Sequence, residues 1–200
     1  MLRALEPCKS GVEETRQRIL AATRELYALK GSKGTTTREV AERANVNEAT
    51  LFRHFGTKGH LIGAMLDAYC GKSHIPDVLE AVRRAGSLVE QLHVLGRAAI
   101  ENISRKEDLI KIGMAEEVTN PDGSAYSWRA PLEARRLLAD FFRDKIEAGE
   151  LRGDPQSLAR IFMSFFFAHV MARKLWHEAP DPEAAVVSCV DIFLNGARAR

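Results

Sequence analysis

Apolar residues recur along this chain at spacings of three and four, the period of a helix buried on one side, and nowhere alternate as a half-buried strand would. The first such pattern runs from Glu13 through Ile19, Thr23, Leu26 and Leu29 or Lys30, with acidic residues at its start, and Gly31 ends it. Val40, Ala41 and Ala44 give the small apolar face of a second helix. Leu51 and Phe55, four apart, give that of a third, and Leu61, Ala64, Met65 and Ala68 that of a fourth, continuing to Tyr69 or Lys72. After a break at Gly71 and residues 73–76, further helices are predicted at about 77–84, 87–104, 106–118, 130–148, 155–177 and 182–195. Asp154 and Asp181 stand before Pro155 and Pro182, first-turn positions where a missing amide does no harm. The pattern predicts an all-α protein.

Local chemistry sharpens the stretch from Thr36 to Lys58. Thr36 with Glu39 three residues on is a capping box, Asn45 stands where a left-handed residue is needed, Val46 plugs the corner, and Asn47 can cap the next helix. Two short helices around so tight a corner form a helix-turn-helix, whose second helix enters the DNA major groove by its first residues. Glu48, Ala49, Thr50, Phe52, Arg53 and His54 lie at the start or on the outside of that helix. Thr50 can bond a base edge or phosphate, Arg53 and His54 can donate, and Phe52 can pack on sugar or methyl groups. Lys58 opens the following helix, where its ammonium and the free amides can share a phosphate.

The segments ILAATRELYALKG, TTTREVAERANVNEATLFRHF and TKGHLIGAML, in this order and spacing, resemble the DNA-binding domain of TetR-family transcriptional regulators over roughly residues 14–70. The resemblance implies DNA contacts at Thr36, Thr37, Arg38, Asn47, Thr50, Phe52, His54 and Lys58. It also implies a C-terminal helical bundle that binds a small molecule and forms a homodimer through the last two helices, the protein being a repressor released from an inverted-repeat operator by its ligand. Asn45 and Asn47 stand where the family usually has Gly and often has Ser, preserving turn and cap chemistry. Phe52 replaces the usual Tyr and lacks the hydroxyl that would reach a phosphate, and Gly59 stands where Glu is common. Residues 1–12 are then expected to be a flexible arm, 13–60 the DNA-binding domain, and 61–200 the ligand-binding and dimerisation domain, with 61–72 a connecting helix.

Charge agrees with this division. Up to residue 60 there are 11 Lys and Arg against 7 Asp and Glu; beyond it there are 18 against 20, so positive charge gathers with the motif. Cys8, Cys70 and Cys189 have no CxxC spacing, which argues against a disulfide framework or structural zinc and fits a reducing cytoplasm. The start lacks the apolar core of a signal peptide, and the longest uncharged apolar run, 161–172, is too short to span a bilayer. No nucleophile-and-base, P-loop or metal-ligand pattern is present, so neither catalysis, a cofactor nor a metal is expected.

The C-terminal helices carry more apolar residues than one stripe requires. Leu158, Ile161, Phe162, Phe165, Phe166, His169, Met171 and Ala172 cover most of one circumference, and Val186, Val187, Val190, Ile192, Phe193 and Leu194 do the same for the last helix. Helices apolar nearly all round are buried on two sides, here the protein's own core and a partner subunit, with Phe162, Phe166, Val190 and Phe193 the expected dimer contacts. An apolar or aromatic effector would suit a lining drawn from Met114, Trp128, Phe141, Phe142, Phe165 and Phe166, with His93, Arg97, Glu117 or His169 supplying polar contacts. The rival expectation is a helical ligand-binding or protein-interaction bundle that no longer binds DNA, favoured by Phe52 and by the acidic Glu48 on the DNA-facing helix.

Overall fold

The computed structural model describes residues 11–70, 75–119, 129–173 and 181–197. Among them are ten helices and no strand: α1 (Gly11–Gly34), α2 (Thr37–Arg43), α3 (Glu48–Phe55), α4 (Lys58–Cys70), α5 (Ile75–Arg84), α6 (Leu88–Arg105), α7 (Glu107–Thr119), α8 (Arg129–Glu147), α9 (Pro155–Ala172) and α10 (Pro182–Ala197). The fold is all-α, as the periodicity predicts. Residues 1–10 of the expected arm, Trp128 of the expected ligand lining, and the part of the 155–177 helix beyond 173 lie outside the described residues.

The chain divides into two compact units, one holding α1 to α4 together with α7 from Lys111 onward, the other holding the remaining helices and the first residues of α7. All of α4 therefore packs with the first three helices, and the division falls after Cys70 rather than at residue 60.

In the first unit α1 packs on α2 and α4, and α3 on α2 and α4. The buried side of α1 is Ile19, Leu20, Ala22, Thr23 and Tyr27. Leu29, expected on that stripe, is 74% exposed. At 100° per residue Tyr27 stays in phase with Ile19 and Thr23, whereas Leu29 has turned to the far side. The stripe of α4 is likewise rotated: Leu61 and Met65 are buried with Ile62 and Leu66, while Ala64 and Ala68 are only half-buried. Gly31, with φ 67°, breaks α1 where the sequence predicts its end, in a conformation that glycine adopts without a Cβ penalty.

The second unit is built around phenylalanines. Phe142 on α8, Phe162 and Phe166 on α9, and Phe193 on α10 are all buried, with ring centroids 5.0 to 5.8 Å apart along the chain of contacts from Phe166 through Phe162 to Phe142. Val186 and Val190 of α10 and Leu92 and Ile100 of α6 complete the core. Helix α6 approaches closely because Gly96 has no side chain: a Cβ there would lie 2.7 Å from the Phe166 ring. A capping box of Ser87 and Glu90 starts α6, and the Asp154 carboxylate, accepting from the Ser157 amide, starts α9 before Pro155.

This packing corrects the expected dimer contacts. Phe162, Phe166, Val190 and Phe193 are at most 5% exposed inside a single protomer, so none presents a face to a partner. The apolar side chains that α9 and α10 turn outward are Ile161, Val187 and Ile192.

Candidate nucleic-acid interface

The corner between α1 and α2 is held by a dense set of polar contacts. The Thr35 hydroxyl donates to the Gly31 carbonyl at 2.9 Å, and the Lys58 ammonium donates to the Thr35 carbonyl at 2.7 Å. Thr36 caps α2: its Oγ1 accepts from the Glu39 amide at 3.2 Å, and Glu39 accepts from the Thr36 amide at 2.9 Å. Lys30 reaches the same carboxylate at 2.7 Å. The Lys30 ammonium, then the amide and hydroxyl of Thr36, hold the Glu39 carboxyl down to about 2 from its ordinary 4.5.

A carboxyl whose folded pKa lies below its unfolded value stabilises the fold above the unfolded pKa and loses that contribution as pH falls through the folded one. The capping box should therefore hold fully above pH 4.5 and weaken as pH falls toward 2. Glu39→Gln is expected to be less stable than wild type at neutral pH, with the gap closing across that window, as measured by urea denaturation at a series of pH values.

At the second corner Asn45 takes φ 54°, the left-handed conformation predicted for it. Asn47 then caps α3, its Oδ1 accepting from the Thr50 amide at 2.7 Å. Leu51 and Phe55 turn inward. Arg16 of α1 lies over the Phe55 ring, 5.0 Å from its centroid, clasping the end of α3. A helix with its side chains is about 10 to 12 Å across, so α3 fits a major groove about 12 Å wide.

Its outer surface carries the expected residues. Ala49, Phe52 and Arg53 are exposed, Phe52 by 41%, while Glu48, Thr50 and His54 are half-buried. Arg53 has no ion-pair partner among the described residues. Arg38 is paired with Glu42 one turn along α2 at 3.1 Å, both in solvent, where such a pair is weak and easily exchanged for a phosphate. Thr37 is engaged: its hydroxyl donates to Glu48 Oε1, joining the first residues of α2 and α3. That bond, the Lys58 link to Thr35 and the Arg16 clasp join residues 11, 23 and 39 positions apart, and no local spacing announces them.

The candidate ligand residues are not brought together in the same way. Phe142 and Phe166 belong to the core of the second unit, with Phe141 and Phe165 packed against it. Arg97 is held by both oxygens of Glu183, each at 2.7 Å, which ties α6 to the start of α10. His93 and His169 are half-buried, and Met114 and Glu117 are exposed on the part of α7 that belongs to the first unit.

Fold and site together define a helical regulator with a helix-turn-helix, and comparison with known proteins agrees. The family described as bacterial regulatory proteins, tetR family, matches residues 19–65, and that described as AefR-like transcriptional repressor, C-terminal domain, matches residues 90–196. The HTH-type transcriptional repressor Rv3405c of Mycobacterium tuberculosis is 47% identical over 170 residues, covering 75% of this chain and 87% of that protein. The HTH-type transcriptional regulator YvkB of Bacillus subtilis is 34% identical over 160 residues, covering 80% and 82%. A solved structure of a TetR-family regulator from Mesorhizobium loti has the same fold, with a TM-score of 0.79 over 96% of this chain and 100% of that one at 20% identity. The chain belongs to the tetR family of bacterial regulatory proteins, and it is a DNA-binding transcriptional repressor. None of the described helices is long and apolar enough to cross a membrane.

Proposed function

We propose that the protein acts as a homodimer on an inverted-repeat operator, reading each half-site with residues 48–54 of α3 and positioning itself on the backbone through Thr36, Arg38 and Lys58. The observation that carries this reading is the capped α3, which buries Leu51 and Phe55 and leaves Ala49, Phe52 and Arg53 outward beside Thr50 and His54. Two such helices related by a two-fold axis meet symmetric half-sites about one helical turn apart.

A gel-shift on the DNA upstream of the protein's own gene, against a scrambled duplex, tests it. Thr50→Ala and His54→Ala are each expected to weaken specific binding by about 1 to 3 kcal/mol for every base that the side chain no longer reaches, with little change on scrambled DNA. Equal affinity of the wild type for both duplexes would end the reading.

Release would follow when an apolar or aromatic small molecule enters the C-terminal bundle and favours a form whose recognition helices no longer match successive grooves. Phe141, Met163 and Phe165, partly buried at the edge of the second unit's core, are the side chains there that suit such a ligand. A compound found by thermal shift is expected to lower operator affinity in the same gel-shift. One that stabilises the protein and leaves DNA binding unchanged would break the coupling, since a ligand shifts an equilibrium only by its differential affinity for the two states.

A further inference from the structure

We propose that Glu48 reads a base, selecting a cytosine amino group at one position of each half-site; this rests on the reading of α3 as the recognition helix. Glu48 opens α3 immediately after the Asn47 cap, at the end of a recognition helix that reaches base edges. Its Oε1 accepts the Thr37 hydroxyl, and Oε2 has no hydrogen-bond partner among the described residues. Thr37 is the first residue of α2, so the bond fixes the carboxylate between two helices whose caps are themselves rigid. An acceptor held in one orientation loses little freedom on meeting a donor.

A carboxylate can only accept. In the major groove the donors are cytosine N4 and adenine N6, and adenine places the acceptor N7 beside its amino group. Guanine offers O6 and N7, thymine offers O4, and the phosphates are anionic, so all of these repel the group. Glu48 therefore adds nothing to general affinity. It penalises the wrong base, favours cytosine over adenine, and weakens binding to DNA of arbitrary sequence. Thr37 serves as its positioning residue, because release of that hydroxyl to a phosphate would free the carboxylate to swing.

In vitro selection from duplexes with randomised half-sites, using the full-length protein, tests this with Glu48→Ala, Glu48→Gln and Thr37→Val beside the wild type. Circular dichroism confirms that each variant is folded. The wild type is expected to select a symmetric site with one cytosine preferred over other bases by roughly 5- to 150-fold. Glu48→Ala should lose discrimination at that position alone and bind scrambled DNA more tightly. Glu48→Gln retains an acceptor for Thr37 and gains a donor, so the preference there should move to adenine, whose N6 and N7 suit a side-chain amide. Thr37→Val should blunt the cytosine preference without shifting it. A symmetric site whose composition is unmoved by Glu48→Ala would overturn this proposal alone, leaving the carboxylate a brace between helices. Selection of no symmetric site by the wild type would overturn the operator reading and this proposal with it.

Discussion

Phe142→Ala is expected to destabilise the protein by about 3 to 5 kcal/mol, the cost of removing a large aromatic from a packed core. Stability of a domain this size is on the order of 5 to 15 kcal/mol, so about a fifth of it or more would go with one side chain. Phe142 has no exposed surface and lies where three helices meet: its ring is 5.4 Å from Phe193 on α10 and 5.8 Å from Phe162 on α9, with Phe141 beside it on α8. The cavity cannot close easily. The wall beyond Phe162 is Phe166, and behind it α6 is already at closest approach through Gly96. Phe142→Leu keeps most of the volume and should cost clearly less. Urea denaturation followed by circular dichroism separates the two, and a loss under about 1 kcal/mol for the alanine variant would mean that the site collapses as this geometry forbids.

What was legible in the sequence is what short spacings encode. Thr36 with Glu39, Asn47 ahead of Thr50, and Asp154 ahead of Ser157 cap helices in the structure because a cap needs only a side-chain oxygen three residues from an orphan amide. Leu51 and Phe55 are buried as their four-residue spacing requires. Spacing does not fix phase. Around α1 the expected stripe ends on Leu29 or Lys30, whereas the helix buries Tyr27, and on α4 the expected Ala64 and Ala68 give way to Ile62 and Leu66, because spacing alone leaves the rotation of the stripe open. On α9 and α10 the surplus of apolar residues does not say which side meets the core, and Phe162, Phe166, Val190 and Phe193 fill the protomer's own core. Polar partners distant in sequence were not legible at all. Arg97 and Glu183 stand 86 residues apart, and nothing near either one names the other. Lys58 is identifiable as a cation after the recognition helix, yet its hold on the Thr35 carbonyl depends on how α4 packs against the first corner.

Ile192→Glu and Val187→Glu are expected to yield folded monomers that lose tight operator binding. Ile192 is 62% exposed and Val187 48%, and with Ile161, 46% exposed on α9, they are the large apolar side chains these two helices leave outside the core. Ser164 and Ala168 on α9, and Ala184 and Ser188 on α10, are exposed as well, and such small side chains let another helix approach closely. In an isologous interface each substitution enters twice, so one mutation sets two carboxylates into apolar contact, where an unpaired charge is strongly disfavoured. The isolated protomer keeps its core, since Ile192 points away from Val186, Val190, Phe193 and Leu194, and Val187, at the edge of that buried side, is already half in solvent. Separation removes the second recognition helix from its neighbouring half-site, and the linked pair's advantage of roughly 10²- to 10⁴-fold disappears with it. Light scattering gives the mass, circular dichroism the helix content and gel-shift the affinity. Phe162→Glu, Phe166→Glu, Val190→Glu and Phe193→Glu, made beside them, should instead lose helix content, because their charges enter the protomer's own core. If Ile161→Glu, Val187→Glu and Ile192→Glu all remain dimeric with full affinity, the interface lies elsewhere; a wild type monomeric at micromolar concentration would end the homodimer reading itself.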